Sequence, residues 1–381
     1  MMTIDRRDFL KYLSALGLCS AMPQAVFAKT SSPNIIIWIT LRGAMDGLNV
    51  VVPYGDKNYL PIRKNIGIKE DEINKLDDFF GLHPALKNGY AWYMQGEMAF
   101  IHACATPYRQ RSHFDGQKVL ENGTVDPLNK DGWLNRVLKI DKQASSIAID
   151  SGLPLILQGE VPSSSWYPHK LKIKEQQATL LEEMYQADSA LAMNFEEAMR
   201  IEKIADQKSP SKQFKALAKQ AGSFCTSPNG PNIAVLELGG WDTHAGQGGI
   251  SGRLANQLKT LDTGLATLKT ELGDAWSRTV IVAASEFGRT AAENGTKGTD
   301  HGTANALMLA GGAVKGRRVI SQWPGLAPEN LFQGRDLLPT IDMRSVIKGV
   351  LNQHIGISQN NLAMVFPDSE SVPMTADLIK T

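Results

Sequence analysis

The chain contains six runs of consecutive apolar residues, and stretches with helical spacing lie between them. Such runs, in place of alternating apolar and polar residues, indicate strands that are covered on both faces. Strands that alternate with helices predict an α/β fold, with a doubly wound, mostly parallel sheet between helices. The predicted strands are "NIIIWITL" (34–41), "MAFIHAC" (98–104), "SIAID" (146–150), "NIAVLEL" (232–238), "TVIVAAS" (279–285) and "ALMLAGG" (306–312). The predicted helices lie within 83–96, 131–140, 251–272 and 340–354.

Residues 171–223 interrupt this alternation. The segment is long, has helical spacing and is rich in charged residues. It is either a helical insertion that covers a functional site or a crossover helix pair on the surface of the sheet, and the spacing alone does not choose between them. We expect a single domain over residues 29–381 that includes this segment.

The first residues have the pattern of an export signal. Arg6 and Arg7 precede Phe-Leu-Lys, an apolar run covers 12–22, and Ala28 supplies the small residue that a signal peptidase requires. Residues 1–28 are therefore predicted to be a twin-arginine signal peptide, with the Tat export machinery as a partner and a periplasmic or extracellular location. A mobile basic N-terminus is the alternative, and it does not account for the three features together. As a helix the apolar run would be about 16 Å long, which is too short to span a membrane.

Charge and cysteine content restrict the partners. The formal net charge is +1 over 381 residues, so no basic excess points to nucleic acid or anionic lipid. Beyond the signal, no apolar stretch approaches the roughly 20 residues of a membrane span. Cys104 and Cys225 could form a disulfide in an oxidising compartment, but we favour two separate thiols because Cys104 lies in an apolar strand. No CxxC or CxxCH motif indicates a cysteine metal site or a haem.

Acidic and imidazole side chains follow the ends of nearly all the predicted strands. Ligands of an open α/β sheet bind at the carboxyl ends of its strands, so these side chains should meet at one edge. A single loop carboxylate is usually a helix cap or a turn former, but the joint placement favours a site. The candidates are Asp46 in "RGAMDGLN", Asp242 and His244 in "GGWDTHAGQGG", Glu286 in "SEFGR", and Asp300 and His301 in "TDHG".

Such a set of side chains predicts a divalent metal ion. Clustered carboxylates must be paired, protonated or bound to cations, because their mutual repulsion raises their pKa values. Imidazole together with carboxylate favours Zn or Mn, whereas carboxylates alone would suit Mg or Ca. The glycines around Asp242 and His244 would let the backbone pass close to the ion or to a substrate.

Ser112, in "YRQRSHFDGQ", is the candidate nucleophile. It lies between Arg111 and His113, where a helix is predicted to begin. A metal can lower the pKa of a hydroxyl, and arginines such as Arg111 or Arg289 can hold a phosphate or sulfate oxyanion. The alternative is a serine that caps the helix, and the two roles are compatible because helix N-termini attract anions.

Six ordered blocks of the chain resemble the DUF1501 family of exported bacterial proteins, which is related to the alkaline phosphatase/sulfatase superfamily. The blocks are "LRGAMDGLNVVVPY", "RSHFDGQ", "GGWDTHAGQ", "ASEFGRT", "GTDHGTANALMLAGGAVKG" and "RDLLPTIDMRSVIKGVL". The resemblance implies an alkaline phosphatase-like core with a metal-binding edge. It also implies that Asp46 is a ligand after the first strand, that Ser112 is at the nucleophile position, that Asp242 and His244 bind one metal, and that His301 is a late histidine ligand.

The chain departs from that pattern after the strand "TVIVAA". Alkaline phosphatases have Asp-His-Gly at this point, and this chain has Glu286-Phe287-Gly288, so one histidine ligand is missing. The spacing from aspartate to histidine in "WDTH" is also shorter than in the superfamily. Both departures argue against a full two-metal site, and they favour a single metal or an altered second site that uses Asp300.

Two functions are consistent with this sequence. The first is an exported metal-dependent hydrolase that acts on a small ester or other anionic substrate, with Ser112 attacking a phosphate or sulfate ester. The second is a catalytically reduced relative that uses the same sheet as a binding or assembly module, which Phe287 favours. A fold does not guarantee chemistry. The remaining histidines are predicted to be structural, namely His83, His102, His169 and His354.

Overall fold

The computed structural model describes residues 34–168, 181–182, 184–185, 188–205 and 211–380. The predicted signal peptide and His169 lie outside the described residues, as do parts of the segment 171–223. No helix in these described ranges is long and apolar enough to cross a membrane.

The strands form one large and one small sheet. Their bounds are β1 Ile35–Leu41, β2 Val51–Val52, β3 Asn74–Lys75, β4 Gly81–Leu82, β5 Met98–Ala105, β6 Ser146–Ala148, β7 Ser164–Ser165, β8 Ile233–Leu238, β9 Thr279–Ala284, β10 Asn305–Ala310, β11 Arg318–Ile320 and β12 Ile341–Asp342. The large sheet has the order β11-β5-β10-β9-β1-β8-β6-β7, and β12 also pairs with β5. The small sheet has the order β2-β4-β3.

The large sheet is mostly parallel, as the sequence predicts. β1 lies between β8 and β9 and is parallel to both. β10 alone among the described strands of this sheet runs against its neighbours, since it pairs antiparallel with β5 and with β9. The carboxyl ends of β1, β5, β8 and β9 therefore lie at the same edge as the amino end of β10.

Helices cover both faces of this sheet. Their bounds are α1 Gly47–Val50, α2 Tyr59–Ile62, α3 Lys87–Met94, α4 His113–Asn122, α5 Trp133–Ile140, α6 Ser189–Ile204, α7 Phe214–Thr226, α8 Arg253–Leu272, α9 Met343–Ile355 and α10 Gln359–Val365. Side chains of β1 alternate between two cores: Ile37 packs with α7 and α8, and Trp38 packs with α5 and α9. Burial of both faces explains why the strands are continuously apolar in sequence, and the predicted α/β fold class is confirmed.

The predicted helices are present, with ends that differ by a few residues. The stretch 251–272 becomes α8, which begins at Arg253 because Gly252, with φ of +120°, ends the preceding loop. In the described part of 171–223, α6 and α7 are helical, and α7 buries Leu217 and Phe224 in the same core as α8. For α7 this is the arrangement of a crossover helix on the sheet surface.

The buried polar groups outside the edge of the sheet have structural partners. His83, His102 and His354 are buried, and each ring makes a hydrogen bond to a backbone carbonyl oxygen, as expected for structural histidines. Cys104 and Cys225 are both buried and free, in agreement with two separate thiols.

Candidate metal centre

Four side chains meet at the edge of the sheet where β1, β5, β8 and β9 end. His113 is the first residue of α4, which follows the loop after β5. Asp242 and His244 lie in the loop after β8, and His301 lies shortly before β10. His301 can join the others because β10 is antiparallel to β9, so that its amino end lies at this edge. These four residues are referred to below as the His/Asp cluster.

The ring nitrogens and the carboxylate of the His/Asp cluster lie close together. His301 Nε2 is 2.9 Å from His113 Nε2 and 3.0 Å from His244 Nε2. Asp242 Oδ1 is 3.0 Å from His244 Nε2 and 3.3 Å from His301 Nε2. Asp242 Oδ2 is 3.6 Å from His113 Nε2. The four side chains are between 27% and 44% exposed, so ions in solution can reach them.

Each histidine of the cluster directs its other ring nitrogen, Nδ1, to a group that can accept a hydrogen bond. The pairs are His113 Nδ1 with Glu286 Oε1 at 2.7 Å, His244 Nδ1 with Asp300 Oδ1 at 3.1 Å, and His301 Nδ1 with the carbonyl oxygen of Arg111 at 3.0 Å. Carboxylate and carbonyl oxygens only accept, so each Nδ1 carries a proton. The Nε2 lone pairs of the neutral rings then face one another.

This arrangement fits a metal ion. Two nitrogen lone pairs at 2.9 Å repel each other unless a proton or a cation lies between them. Histidines that bind metals almost always donate the other ring N–H to a carboxylate or a carbonyl oxygen. Two atoms bound to one tetrahedral zinc at about 2.1 Å lie about 3.4 Å apart, and the distances of 2.9 to 3.6 Å in the cluster span that value. Imidazoles with one carboxylate suit Zn or Mn.

Neighbouring groups shift the pKa values of three residues of the cluster. The hydrogen bond to Glu286 raises the pKa of His113 above its ordinary value. Burial lowers the pKa of His301, and the charge of His113 lowers it further. Burial raises the pKa of Asp242, but the hydrogen bond and charge of Arg289 outweigh this effect and lower that pKa overall. A divalent metal ion bound between the rings would displace any proton there and bring more positive charge than that proton.

Arg289, which is predicted to hold an oxyanion, is the partner of Asp242 in this structure. Its Nη1 donates to Asp242 Oδ1 at 2.6 Å. Its Nε and Nη2 donate to the hydroxyl and carbonyl oxygens of Thr299. The Arg289 side chain is fully buried. It therefore orients the Asp242 carboxylate, and each of its three nitrogens already makes a hydrogen bond within the protein.

The structure separates Asp46 from the cluster. Arg63 Nη1 donates to Asp46 Oδ2 at 2.6 Å, and Arg63 Nη2 donates to Oδ1 at 3.0 Å. Gln247 Nε2 also donates to Oδ2 at 2.6 Å. The side chains of Asp46 and Arg63 are only 1% and 0% exposed. Both carboxylate oxygens of Asp46, a predicted metal ligand, therefore already have donors, and its counter-charge in this structure is a guanidinium.

Glu286 and Asp300 contact the cluster from outside, through the Nδ1 atoms described above. Glu286 is fully buried and also accepts the backbone N–H of Gly43 at 2.9 Å. Asp300 is half exposed and accepts from Asn294 Nδ2 at 3.0 Å. Both acids are predicted as metal ligands; in this structure their contacts to Nδ1 are those of groups that orient the rings and increase the basicity of Nε2.

Ser112 lies directly before His113, at the N-cap position of α4. The structure thus places the candidate nucleophile beside a residue of the cluster. Its hydroxyl makes no capping hydrogen bond, so the capping alternative lacks its defining contact. The neighbouring Arg111 is in an ion pair, with Nε and Nη2 each 2.7 Å from Asp336 Oδ2. The guanidinium that is predicted to hold a substrate oxyanion is therefore paired with a carboxylate in this structure.

His113 is a candidate metal ligand that is not predicted from the sequence. Its neighbour Ser112 is predicted as the nucleophile, and the signal that could have identified His113 is its position after a strand, which Asp242 and His244 share. Its ring stacks on Phe287, with centroids 5.0 Å apart and an interplanar angle of 28°. The phenylalanine that stands where a histidine is expected therefore packs against an imidazole from another segment.

One glycine allows two of these loops to meet. Gly43 has φ of +117°, and a Cβ there would lie 2.8 Å from the backbone nitrogen of Asp242. Any other residue would clash and be strained. Within "GGWDTHAGQGG", Gly240 and Gly248 have φ of +93° and +79°, which residues other than glycine rarely adopt.

The fold and the cluster together define a class: an α/β protein with a candidate metal centre at the edge of a mostly parallel sheet. Within that class, the chain belongs to the family described as protein of unknown function (DUF1501), whose family model matches residues 34–366. No curated protein sequence matches the chain.

Several solved structures are similar to this one at low sequence identity. The C-terminal periplasmic domain of EcEptC from Escherichia coli, in complex with Zn, is 8% identical, with 76% of each chain covered and a TM-score of 0.40. The lipoteichoic acid synthase LtaP from Listeria monocytogenes is 10% identical, with 93% of this chain and 80% of that chain covered and a TM-score of 0.40. The phosphonate monoester hydrolase of Agrobacterium radiobacter is 10% identical, with 84% and 73% covered and a TM-score of 0.35.

Proposed function

We propose that the chain is an exported metal-dependent hydrolase of phosphate or sulfate esters. The observation that supports this most strongly is the convergence of three Nε2 atoms and the Asp242 carboxylate, with every Nδ1 bound to an acceptor. Lone pairs that face one another at these distances are stabilised by a proton or a metal cation between them, and the outer partners of the three rings are those of metal-binding histidines. Zn or Mn is favoured by the imidazoles, whereas Mg and Ca prefer sets made only of oxygen ligands.

In the proposed reaction Ser112 is the nucleophile. Its Oγ forms a bond to the phosphorus or sulfur atom, the bond to the departing alcohol breaks, and the serine proton ends on that alcohol. Water then cleaves the ester on Ser112 and releases phosphate or sulfate. Asp242 is held for its role by Arg289, and Glu286 and Asp300 hold the rings of His113 and His244. When bound, the metal ion supplies charge stabilisation and lowers the pKa of a bound hydroxyl or water.

The test has two parts, metal content and hydrolysis. Purified protein should carry a stoichiometric transition metal, and Asp242→Ala should lose it. Aryl phosphates, phosphodiesters and sulfates are then assayed with the wild type, with Ser112→Ala and with Ser151→Ala, an exposed serine on the loop after β6. We expect Ser112→Ala alone to abolish turnover. Wild type that carries metal but hydrolyses none of these esters would contradict the proposed reaction.

Export by the twin-arginine route is part of the proposal. It rests on the sequence of residues 1–28 and is tested separately. Replacing Arg6 and Arg7 together by lysine should leave the protein in the cytoplasm of the producing cell, and wild type should reach the periplasm. Equal export of both proteins would contradict this route.

A second candidate function is a metal-binding or assembly protein without catalysis. The observation that favours it is the state of the two predicted oxyanion-holding residues, since Arg111 and Arg289 are paired with Asp336 and Asp242. A protein that binds metal, is stabilised by it and turns over no ester has this function. The metal and ester measurements above therefore separate the two candidates.

A further inference from the structure

A tight turn from Phe332 to Asp336 contacts the metal centre. The backbone N–H of Phe332 donates to the carbonyl oxygen of Asp336 at 2.8 Å, and the reverse bond is 3.1 Å long. Within this turn, Arg335 Nη2 donates to the backbone carbonyl oxygen of His301 at 2.8 Å. The turn is therefore joined directly to a residue of the His/Asp cluster.

The same turn holds the side chain of Arg111 by three contacts. Asp336, whose side chain is 0% exposed, accepts from Arg111 Nε and Nη2 through one oxygen, Oδ2. Gln333 Oε1 accepts from Arg111 Nη2 at 2.7 Å. The ring of Phe332 lies 5.9 Å from the guanidinium carbon. Only 19% of the Arg111 side chain is exposed, so its position is well determined by these neighbours.

The backbone of Arg111 is in a conformation that needs such support. Its φ is +64°, in the left-handed region that residues other than glycine enter at a cost of about 1–2 kcal/mol. With this backbone conformation, the carbonyl oxygen of Arg111 lies 3.0 Å from His301 Nδ1. That contact keeps the proton on Nδ1, so that His301 Nε2 carries a lone pair in the neutral ring. His301 Nε2 is also the atom that lies close to both other imidazoles.

We propose that Asp336 is a positioning residue of the metal centre, which acts through Arg111 and its carbonyl oxygen to fix the ring and the tautomer of His301. Asp336 touches neither the proposed ion nor a substrate. The inference rests on the proposed function, because the ring it positions is part of the His/Asp cluster. It accounts for a strained arginine beside a cluster of potential ligands, and such strain is concentrated at functional sites.

A second feature of Asp336 supports this role. Its other oxygen, Oδ1, is buried and has no hydrogen-bond partner among the described residues. Arg335 Nη1 lies 3.7 Å from this oxygen, which is too far for a hydrogen bond. A buried carboxylate oxygen without a donor costs stability, and well-packed apolar residues often replace buried ion pairs without loss. Stability alone is therefore a poor reason for this carboxylate.

The test measures zinc affinity and the histidine tautomer, both independently of turnover. Zinc affinity is measured by competition with a chromophoric chelator on metal-stripped full-length protein. Outer partners of metal-binding histidines typically contribute 10–100-fold in affinity, so we expect Asp336→Ala to weaken zinc binding about tenfold. The matched control is Asp377→Asn, an exposed aspartate paired with Lys315 and Arg318, which should not change the affinity.

Variants of Arg111 distinguish positioning from direct contact with a substrate. Glycine enters the left-handed region without strain, so Arg111→Gly should keep more of the zinc affinity than Arg111→Ala. If Arg111 acted only on a substrate, both variants would bind zinc as the wild type does, and that result would overturn the inference.

Nitrogen-15 NMR of the metal-free protein tests the same idea without any metal. We expect His301 to be protonated on Nδ1 in the wild type and to become a mixture of tautomers in Asp336→Ala. An unchanged His301 signal in that variant overturns the inference, even if the wild type binds zinc. Wild type that binds no metal but shows the expected NMR change would instead contradict the proposed function and leave the positioning role standing.

Discussion

Two groups of polar side chains lie near the same edge of the sheet, and they satisfy their charges in opposite ways. Around Asp46 the protein supplies the counter-charge itself: Arg63 donates to both carboxylate oxygens, and its remaining donors bind Asn49 Oδ1 and the carbonyl oxygens of Thr290 and Ala291. In the His/Asp cluster, three imidazole nitrogens and a carboxylate face one another, and the side chains are partly exposed.

The balance of hydrogen-bond donors and acceptors distinguishes a structural polar group from a functional one. A buried acid is common when its donors are complete, and Asp46 meets that condition with Arg63 and Gln247. The cluster has acceptors without enough donors, which is costly for folding alone and useful for holding a cation. The number of carboxylates is therefore less informative than the balance of donors and acceptors.

The largest expected effect comes from the same substitution in each group. Asp46→Ala leaves the Arg63 guanidinium buried without a counter-charge, and we expect the free energy of unfolding to fall by about 3–5 kcal/mol. Asp242→Ala also takes the counter-charge from a buried guanidinium, that of Arg289, but Arg289 keeps its bonds to Thr299 and water can enter where the 43% exposed carboxylate was, so we expect a smaller loss of stability together with loss of metal binding. Urea unfolding and metal analysis of both variants test this. A metal-free but equally stable Asp46→Ala would make Asp46 a ligand and break the comparison.

The second effect depends on pH and concerns His102, which is fully buried near Asp46 and Arg63. Burial lowers its pKa to about 4 from an ordinary value of 6.5. The unfolded chain therefore binds a proton first, so the stability from neutral His102 is complete above pH 6.5 and is lost as the pH falls towards 4. The shift corresponds to about 3 kcal/mol.

Urea unfolding between pH 7 and pH 4 measures this effect. The stability of His102→Gln should depend less steeply on pH than that of the wild type. Burial also lowers the pKa of His354 to about 4, so His354→Gln is a matched variant. The His354 ring makes a hydrogen bond to the carbonyl oxygen of Ile35, at the end of β1 opposite to Asp46. If neither substitution changes the pH dependence, the buried histidines are not the cause.

The third effect is stabilisation by zinc, and it should depend on the His/Asp cluster. Free zinc at about 100 times its dissociation constant should stabilise the wild type by about 2.7 kcal/mol, because zinc binds the folded state. His301→Ala should lose this stabilisation, since His301 Nε2 is near both other imidazoles. His354→Gln is the control, because His354 is buried and its ring makes a hydrogen bond to the carbonyl oxygen of Ile35, at the end of β1 opposite to the cluster. Equal stabilisation of wild type and His301→Ala would exclude the cluster as the zinc site.

Much of the fold could be predicted from the sequence, because burial on both faces leaves continuous apolar runs. The expectation that ligands bind at the carboxyl ends of the strands also identified Asp242, His244 and His301, which the structure brings together. The partner of Asp46 could not be predicted in this way. Arg63 follows it by 17 positions, after two short helices and the strand β2, and no periodicity relates the two residues.

His113 and the roles of the outer acids depend on loop conformation. Whether His113 faces the cluster depends on the turn before it, where Arg111 has φ of +64°, and hydrophobic spacing does not encode such angles. The assignment of Glu286 to Nδ1 rather than to a metal depends on the side of the ring that it reaches. Residue types alone do not distinguish a ligand from the partner of a ligand.

The smallest expected effect compares the two outer acids, which repeat the contrast between closed and open surroundings within the metal centre itself. Glu286 is fully buried and also binds the Gly43 N–H, so Glu286→Gln keeps the shape but exchanges an acceptor for a possible donor next to His113 Nδ1. Asp300 is 50% exposed, and water can replace its bond to His244. We therefore expect zinc affinity to fall about tenfold in Glu286→Gln and only a few-fold in Asp300→Asn. Chelator competition measures both, with Asp377→Asn as a control for loss of an exposed carboxylate. The reverse order would mean that Asp300 binds the ion directly, as a ligand of an altered second site.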